Sequence, residues 1–294
     1  MIPSVRGARP TIRIWWAVVL LLLPVEGTSV WAAEKMTGTL LVKDALSGVN
    51  QPVAIEAKLV QKGLLGDAGL GGEPLELVQN GEIVAKAMTG GDGRAVFQFT
   101  TKTRGMATVT VRVAGSPRVG PAEAMANVAV WERRTPILAV EFAALTEEEA
   151  ASSPVPTLPL GKKAERHPIP DAADELRKLT QFYYNVVYIV TSGEDRSGGF
   201  STNEMVRSWL KTHKFPSGHI LVLPGGSDAV GMQLDELHTA GWKTLKVGIG
   251  RSKAFAEAFL QRRLEAVIVP EPTKGEVPRK AKVAKDWKEV RKKL

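Results

Sequence analysis

The sequence predicts a β-sandwich followed by an α/β doubly wound parallel sheet. Segments that alternate apolar and polar side chains, separated by glycine-rich turns, fill the first part and are typical of paired antiparallel sheets. In the second part, short apolar runs alternate with segments of helical periodicity, which indicates parallel strands joined by right-handed crossovers. We therefore divide the chain into an N-terminal signal (1–32), a sandwich (36–132), an α/β domain (136–273) and a basic tail (274–294).

The first 32 residues have the pattern of a secretory signal peptide. Three arginines precede an apolar run of 12 residues, Ile14 to Val25. In Val30-Trp31-Ala32, Val30 and Ala32 then place small residues at the positions that a signal peptidase reads, for cleavage after Ala32. The alternative is an uncleaved membrane anchor, but a spanning helix needs about 20 apolar residues. We expect an exported protein, periplasmic or secreted. The chain has no cysteine, which excludes disulfides and zinc–thiolate sites.

Residues 36–132 carry the strand pattern. Val53–Val60 alternates apolar and polar side chains, as a half-buried strand requires. Further strands are predicted at Gly38–Lys43, Pro74–Val78, Ile83–Ala87, Ala95–Phe99, Ala107–Val113 and Ala126–Trp131. Lys62–Gly72 contains five glycines and is predicted to be a flexible loop.

From Thr135 the pattern changes to alternating strands and helices. Buried strands are predicted at Ile137–Val140, Val186–Val190, Ile220–Leu223, Leu245–Gly250 and, as the last strand, Ala266–Pro270. Helices are predicted at Asp171–Gln181, Thr202–His213, Met232–Ala240 and Ser252–Arg263. Residues 145–170 connect the first strand to the first helix as a small cap or a loose loop. This connection lies at the carboxyl edge of the sheet, where doubly wound proteins bind ligands.

The formal charge of +8 is concentrated at the C-terminus, because residues 274–294 hold nine Lys or Arg against three acids. This distribution argues against a general nucleic-acid-binding surface. Lys280–Leu294 is predicted to be an amphipathic helix. Its apolar side either docks Trp287 on the sheet domain or lies in an anionic lipid interface.

The Thr89-Gly90-Gly91-Asp92-Gly93-Arg94 segment, with the strands on either side, resembles the strand–turn–strand unit of bacterial immunoglobulin-like domains. Asp92-Gly93 makes a tight hairpin because glycine accepts a positive φ, and Ala95, Phe97 and Phe99 then share one face. The resemblance implies an immunoglobulin-like sandwich. Such a domain serves either as a spacer or in adhesion and ligand binding, and the fold alone does not decide between them.

A second resemblance is carried by segments that follow one another along the α/β region: Asp171–Leu176, Asn185–Ile189, Trp209–Gly218, Val247–Gly250 and Ala256–Phe259. Over roughly residues 136–272 the chain resembles the haloacid dehalogenase superfamily, and within it the lipin-like phosphatidate phosphatase domains. The resemblance implies an Asp-x-Asp after the first strand, as nucleophile and general acid–base. It further implies a hydroxyl and a lysine that hold phosphate, and acids after the fourth strand that hold Mg²⁺.

This sequence departs from the family pattern at most of those positions. Aligned with the family, the site consists of Glu141 for the nucleophile, Ala143 for the acid–base, Thr191 or Ser192 for the hydroxyl, Gln233 for the lysine, and Arg251 and Phe255 for the metal-binding acids. Glutamate is one methylene longer than aspartate, and a misplacement of about 1 Å costs around a hundredfold in rate. Alanine transfers no proton. The pattern therefore predicts a retained fold with a dismantled, vestigial pocket.

Arg251 allows three interpretations. It pairs with Glu141, it is a solvated side chain at a helix start, or it joins Thr191 and the helix N-terminus at Ser252 in binding an anion without cleaving it.

The sequence as a whole predicts an exported, non-catalytic binding or scaffold protein with no cofactor, whose partner is an unknown protein or an anionic ligand. One alternative is a Mg²⁺-dependent phosphatase acting on phosphate esters such as phosphatidate. Another is a cell-envelope adhesion protein that binds through its sandwich.

Overall fold

A computed structural model describes residues 34–63, 66–147, 166–192, 197–226, 228–272 and 277–294. The predicted signal peptide, most of the 145–170 connection and the side chain of Ser192 lie outside the described residues. Residues Lys35–Leu294 form one compact unit that contains both the sandwich and the parallel sheet. No helix of the described residues is both long enough and apolar enough to cross a bilayer.

Two β-sheets packed face to face form the sandwich, with buried side chains such as Ile55, Phe97 and Val111 between them. The first sheet contains β1 (Thr39–Val42), β3 (Pro52–Gln61), β4 (Ala68–Gly69) and β7 (Arg94–Thr100). The second has the order β2-β9-β8-β5-β6, from β2 (Ala45–Gly48), β5 (Pro74–Gln79), β6 (Glu82–Met88), β8 (Gly105–Val113) and β9 (Glu123–Trp131). The predicted β-sandwich is confirmed. Sequence analysis missed β2, and β4 lies inside the segment that it assigned to a flexible loop.

The β7 strand shows why the sandwich prediction succeeds. Its side chains alternate between solvent and core, with Ala95, Phe97 and Phe99 buried. The turn before it needs glycine, because Gly93 has a φ of 79° and its N–H donates to the carbonyl of Gly90. Local chemistry therefore specifies the turn, but the predicted hairpin is wrong, because β6 pairs with β5 in one sheet and β7 pairs with β3 in the other.

The second part of the unit is a six-stranded parallel sheet. Its strands are β10 (Ile137–Glu141), β13 (Asn185–Ser192), β14 (His219–Pro224), β15 (Leu245–Gly250), β16 (Glu265–Ile268) and β17 (Lys282–Val283). The order β14-β13-β10-β15-β16-β17 is that of a doubly wound sheet. A short β11–β12 hairpin (Thr146–Glu147 and His167–Pro168) follows β10. Membership of the haloacid dehalogenase superfamily stays a prediction.

Helices cover both faces of the sheet. They are α1 (Ala172–Phe182), α2 (Phe200–Thr212), α3 (Ala229–Thr239), α4 (Lys253–Gln261) and α5 (Trp287–Lys293). Residues of α1, α2 and α5 pack in one core cluster, and those of α3 and α4 pack in another. The four helices predicted before the tail are present, with ends displaced by a few residues.

The C-terminal segment differs from the predicted helix over Lys280–Leu294. The helix begins only at Trp287, after Asp286, whose side chain accepts a hydrogen bond from the N–H of Glu289. The preceding residues form β17, which pairs with β16, so the strand predicted over Ala266–Pro270 is not the last one. Trp287 is fully buried and its Nε1 donates to the carbonyl of Ala144 over 3.0 Å. Of the two predicted placements, the docked one is observed.

The sandwich and the parallel sheet share a core. Ala129 and Trp131 of β9 pack in the same cluster as residues of α3 and α4, and the rings of Trp131 and Trp242 meet edge to face, 6.4 Å apart. At the other end of the contact, Phe200 of α2 is buried with Leu41 of β1. Removing the sandwich would therefore expose apolar surface on the parallel sheet.

Candidate functional site

The predicted pocket lies at the carboxyl edge of the parallel sheet, where β10 and β15 end side by side. Val140 of β10 is opposite Ile249 of β15, so Glu141 and Gly250 are neighbours. Helix α4 starts one turn further on, capped by Ser252, whose side chain accepts from the N–H of Phe255. This topology brings residues 110 positions apart in sequence into contact.

Glu141 supplies its carboxylate to the N-terminus of α4. Oε2 accepts the backbone N–H groups of Arg251 and Ser252 at 2.7 and 2.9 Å, and Oε1 accepts the Ser252 hydroxyl at 2.6 Å. The residue is buried, with 7% of its surface exposed. A helix N-terminus favours an anion because its first N–H groups lack helical partners. Glu141 is therefore an internal anion in the place where an external anion was predicted.

Gly250 makes this contact possible. A Cβ at Gly250 would collide with the ring of Phe255 and would lie 2.9 Å from Oε2 of Glu141. Only glycine lets the end of β15 approach the carboxylate so closely.

Of the three interpretations of Arg251, the ion pair with Glu141 is not observed. The backbone N–H of Arg251 binds the carboxylate, whereas the guanidinium Nη1 donates to the carbonyl of Thr146 over 3.2 Å. The side chain therefore ties α4 to β11 and is exposed. The physical reason is that the helix terminus presents main-chain donors, which compete successfully for a carboxylate.

The other predicted positions do not join Glu141. Ala143 is half-buried in a 3₁₀ turn, Thr191 is exposed at the end of β13, and Gln233 is half-buried in α3. Among the described residues, none of these three donates a hydrogen bond to the carboxylate. Phe255 is a core residue, 1% exposed and 4.9 Å from the ring of Phe259. In the described part of the chain no three His, Asp or Glu side chains converge as metal ligands.

A second polar cluster lies between α2 and the sandwich, and we call Asp44, Asn127, Asn203 and Arg207 the junction cluster. Nε of Arg207 lies 3.1 Å from Oδ1 of Asp44, which also accepts the N–H of Asn127 at 2.9 Å. Nη2 of Arg207 donates to Oδ1 of Asn203 at 2.6 Å and to the carbonyl of Val42 at 2.9 Å. The cluster links three elements, and it is the main polar feature that sequence analysis missed.

Burial controls the ionisation of two groups near this junction. Burial raises the pKa of Asp44 to about 6, although Arg207 and the N–H of Asn127 pull it down. Oδ2 of Asp44 has no hydrogen-bond partner within the described structure. Burial also lowers the pKa of His219, the first residue of β14, to about 4. Among the residues that the structure describes, neither group belongs to a metal-ligand set, and we assign both to the packing of the junction.

A cleft of about 540 Å³ opens beside the junction cluster, and we call it the junction cleft. Its walls come from β8, β9, α2 and the segment before β14. The lining includes Thr108, Asn127, Glu204, Ser208, Lys211 and Ser217. Clefts between domains are frequent binding sites, and this one offers hydroxyl, amide and charged groups above an apolar floor.

Sequence signals existed for part of these sites. Ser252 precedes a helical pattern and is a typical N-cap, but the acceptor of its hydroxyl proton is not encoded locally. Nothing in the sequence around Asp44 indicates a partner in α2, because Asp44 and Asn203 are 159 residues apart.

Comparisons with known proteins identify fold likeness only. No protein-family model and no curated protein matches this chain. Among solved structures, the D0-D1 domain of intimin is 14% identical, with a TM-score of 0.23 over 31% of this chain and 48% of that structure. A fibronectin(III)-like module of CbhA from Clostridium thermocellum is 10% identical, with a TM-score of 0.22 over 32% of this chain and 96% of its own.

The titin M3 domain is 15% identical, with a TM-score of 0.22 over 31% of this chain and 92% of its own. This chain thus spans about half the length of the intimin structure that it matches. Likenesses at this level carry no argument about activity or partners. The three structures named here contain immunoglobulin-like or fibronectin-like domains.

Proposed function

We propose that the protein is an exported, non-catalytic binding or scaffold protein. The observation that carries this proposal is the position of the Glu141 carboxylate, which is held by three donors from Arg251 and Ser252. Both oxygens of this carboxylate accept hydrogen bonds, which stabilise its charge and make it a weaker nucleophile. Ala143, two residues on, offers no group for general acid–base catalysis.

The binding role is assigned to the concave surface between the sandwich and the parallel sheet. Because these two layers share a core, the junction cleft has walls held by secondary structure rather than by loops alone. Its mixture of Lys211, Glu204 and neutral polar groups suits a polar ligand.

Phosphate release tests the absence of catalysis. The substrates are an aryl phosphate and phosphatidate, each assayed with Mg²⁺ and with a chelator. We expect no release above background, because the missing proton-transfer group alone costs about 10²–10⁴-fold. Chelator-sensitive release that disappears in Glu141→Ala and persists in the exposed control Glu271→Ala would overturn the proposal in favour of the phosphatase. Release restored by Glu141→Asp, Ala143→Asp and Arg251→Asp together would support a phosphatase ancestry.

Adhesion through the sandwich is a second candidate, favoured by apolar side chains on the edge strand β6. A β-bulge in the β5–β6 ladder leaves both Ile83 and Val84 exposed, and Met88 is 60% exposed. Deleting the sandwich is a poor test because Trp131 belongs to the shared core. The sharper test compares whole-cell binding of the intact protein and of Val84→Lys/Met88→Lys. Equal binding by both removes this candidate.

A further inference from the structure

The C-terminal residues form a strongly cationic surface around β17 and α5. Residues 277–294 hold eight Lys or Arg against Asp286 and Glu289. The apolar side of α5 is buried through Trp287 and Val290, so the charged residues of this segment remain on the outside. We call this region, together with Arg263 at the end of α4, the basic surface.

Most of these cations have no acidic partner. Lys282 pairs with Glu265 at 2.7 Å, and Lys288 pairs with Asp171 at 2.9 Å. Across the part of the chain that the structure describes, no ion pair neutralises Arg263, Arg279, Lys280, Lys285, Arg291, Lys292 or Lys293. Because the rest of the predicted mature chain is neutral overall, the positive potential is concentrated at this end of the molecule.

A depression of about 300 Å³ lies within the basic surface. Arg263 and Lys280 line it together with Leu260, Leu264, Glu265 and Lys282. Nζ of Lys282 is held by Glu265 and by the carbonyl of Lys293, both at 2.7 Å, which joins the depression to the end of α5. Arg263 and Lys280 are the two cations of this depression that remain available to an incoming phosphate.

We propose that the basic surface docks on an anionic lipid membrane, with a headgroup phosphate held between Arg263 and Lys280. The attraction is electrostatic, because the apolar side of α5 is occupied by the core and is not available to enter the bilayer. The apolar rim from Leu260 and Leu264 suits the glycerol region of a lipid better than a free ion. This inference is independent of the absence of catalysis at Glu141.

Co-sedimentation with vesicles tests the proposal. The purified protein should bind phosphatidylglycerol vesicles and not phosphatidylcholine vesicles at low salt, and it should dissociate near 1 M salt, where the Debye length is about 3 Å. Each basic residue near an anionic surface strengthens binding about fivefold, so Arg263→Gln/Lys280→Gln should weaken binding about 30-fold. Lys62→Gln/Lys102→Gln, in the sandwich, removes the same charge and should bind like the wild type.

Four results would overturn the proposal. If Arg263→Gln/Lys280→Gln and the control Lys62→Gln/Lys102→Gln weakened vesicle binding equally, the effect would be one of net charge alone. Binding that persists at high salt would show apolar insertion instead of docking. Loss of vesicle binding in millimolar inorganic phosphate would show a free-phosphate site. Absence of wild-type binding to anionic vesicles would remove the membrane altogether.

Discussion

At the scale of single residues, Glu141 combines two properties that usually compete. Its position at the end of the first parallel strand is one where doubly wound enzymes place catalytic groups, yet its contacts are those of a capping residue. The carboxylate accepts hydrogen bonds from two backbone N–H groups and a hydroxyl. Its negative charge therefore interacts favourably with the helix N-terminus in the folded protein. Its role is therefore to stabilise the start of α4.

This role predicts a stability loss in Glu141→Ala. The variant leaves the N–H groups of Arg251 and Ser252 without an acceptor, and hydrogen bonds to charged groups contribute about 1.5–3 kcal/mol each. We expect urea unfolding to show a loss of about 3 kcal/mol, against little change for the exposed neighbour Glu147→Ala. Sulfate or phosphate should restore part of the loss by filling the vacated place. A change within the error of the control would contradict the capping role.

His219 predicts a pH dependence of stability. Its pKa is about 4 in the folded protein because of burial, against 6.5 for the exposed side chain. The unfolded chain therefore takes up a proton between these values and the folded chain does not, so stability present above pH 6.5 is lost as the pH falls through about 4. Between pH 7 and pH 4, the free energy of unfolding should fall by about 3 kcal/mol less in His219→Gln than in the wild type. Urea unfolding at both pH values measures this difference. Parallel pH profiles for variant and wild type would show that His219 does not contribute.

At the scale of elements, the C-terminal segment shows how tertiary pairing overrides periodicity. Val283 and Trp287 fit one helical face in sequence, but Val283 joins an edge strand because β16 offers unpaired backbone groups. The cap at Asp286 then starts the helix. Periodicity correctly indicated which side is apolar, and it did not indicate where the helix begins.

The buried ring of Trp287 predicts that α5 is part of the core. Trp287→Ala should cost about 3–5 kcal/mol, because a cavity replaces the indole and the carbonyl of Ala144 loses its donor. Lys292→Ala, on the exposed side of the same helix, should change stability by less than about 0.5 kcal/mol. Thermal or urea unfolding measures both. Similar midpoints for the two variants would mean that α5 is not docked in solution.

At the scale of the whole molecule, the junction cluster makes the sandwich and the parallel sheet interdependent. Arg207 donates to the carbonyls of Val42 and Met125 in the sandwich and lies in an ion pair with Asp44. The carboxylate of Asp44 is buried, and its raised pKa means that the folded state favours its protonated form. The stabilising contribution of Asp44 to the folded state is therefore fully present below its ordinary pKa of 3.8, and it is lost as the pH rises through about 6.

Removing Arg207 should then have a pH-dependent cost. At pH 7 the Arg207→Ala variant leaves a buried, unpaired carboxylate, which costs about 3–5 kcal/mol. Near pH 4 Asp44 is neutral and the cost should be smaller, while Lys211→Ala on the same helix should be nearly neutral at both pH values. Urea unfolding followed by fluorescence and by circular dichroism measures the loss of stability in the sandwich and in the parallel sheet. The same cost at both pH values would show that Asp44 is not the partner that matters.

The sequence by itself determined most of the β-sandwich strands, the alternation of strands and helices, and the positions of Glu141 at the end of β10 and of Arg251 just after β15. These features depend on side-chain periodicity and on local turn chemistry, both of which are determined by residues close together in the sequence. Only the tertiary structure decided the partners. Glu141 bonds main-chain N–H groups 110 residues away, which carry no sequence signal, and Asp44 meets Asn203 across 159 residues. Such contacts depend on how sheets and helices pack together, so chain topology determines them and local pattern does not.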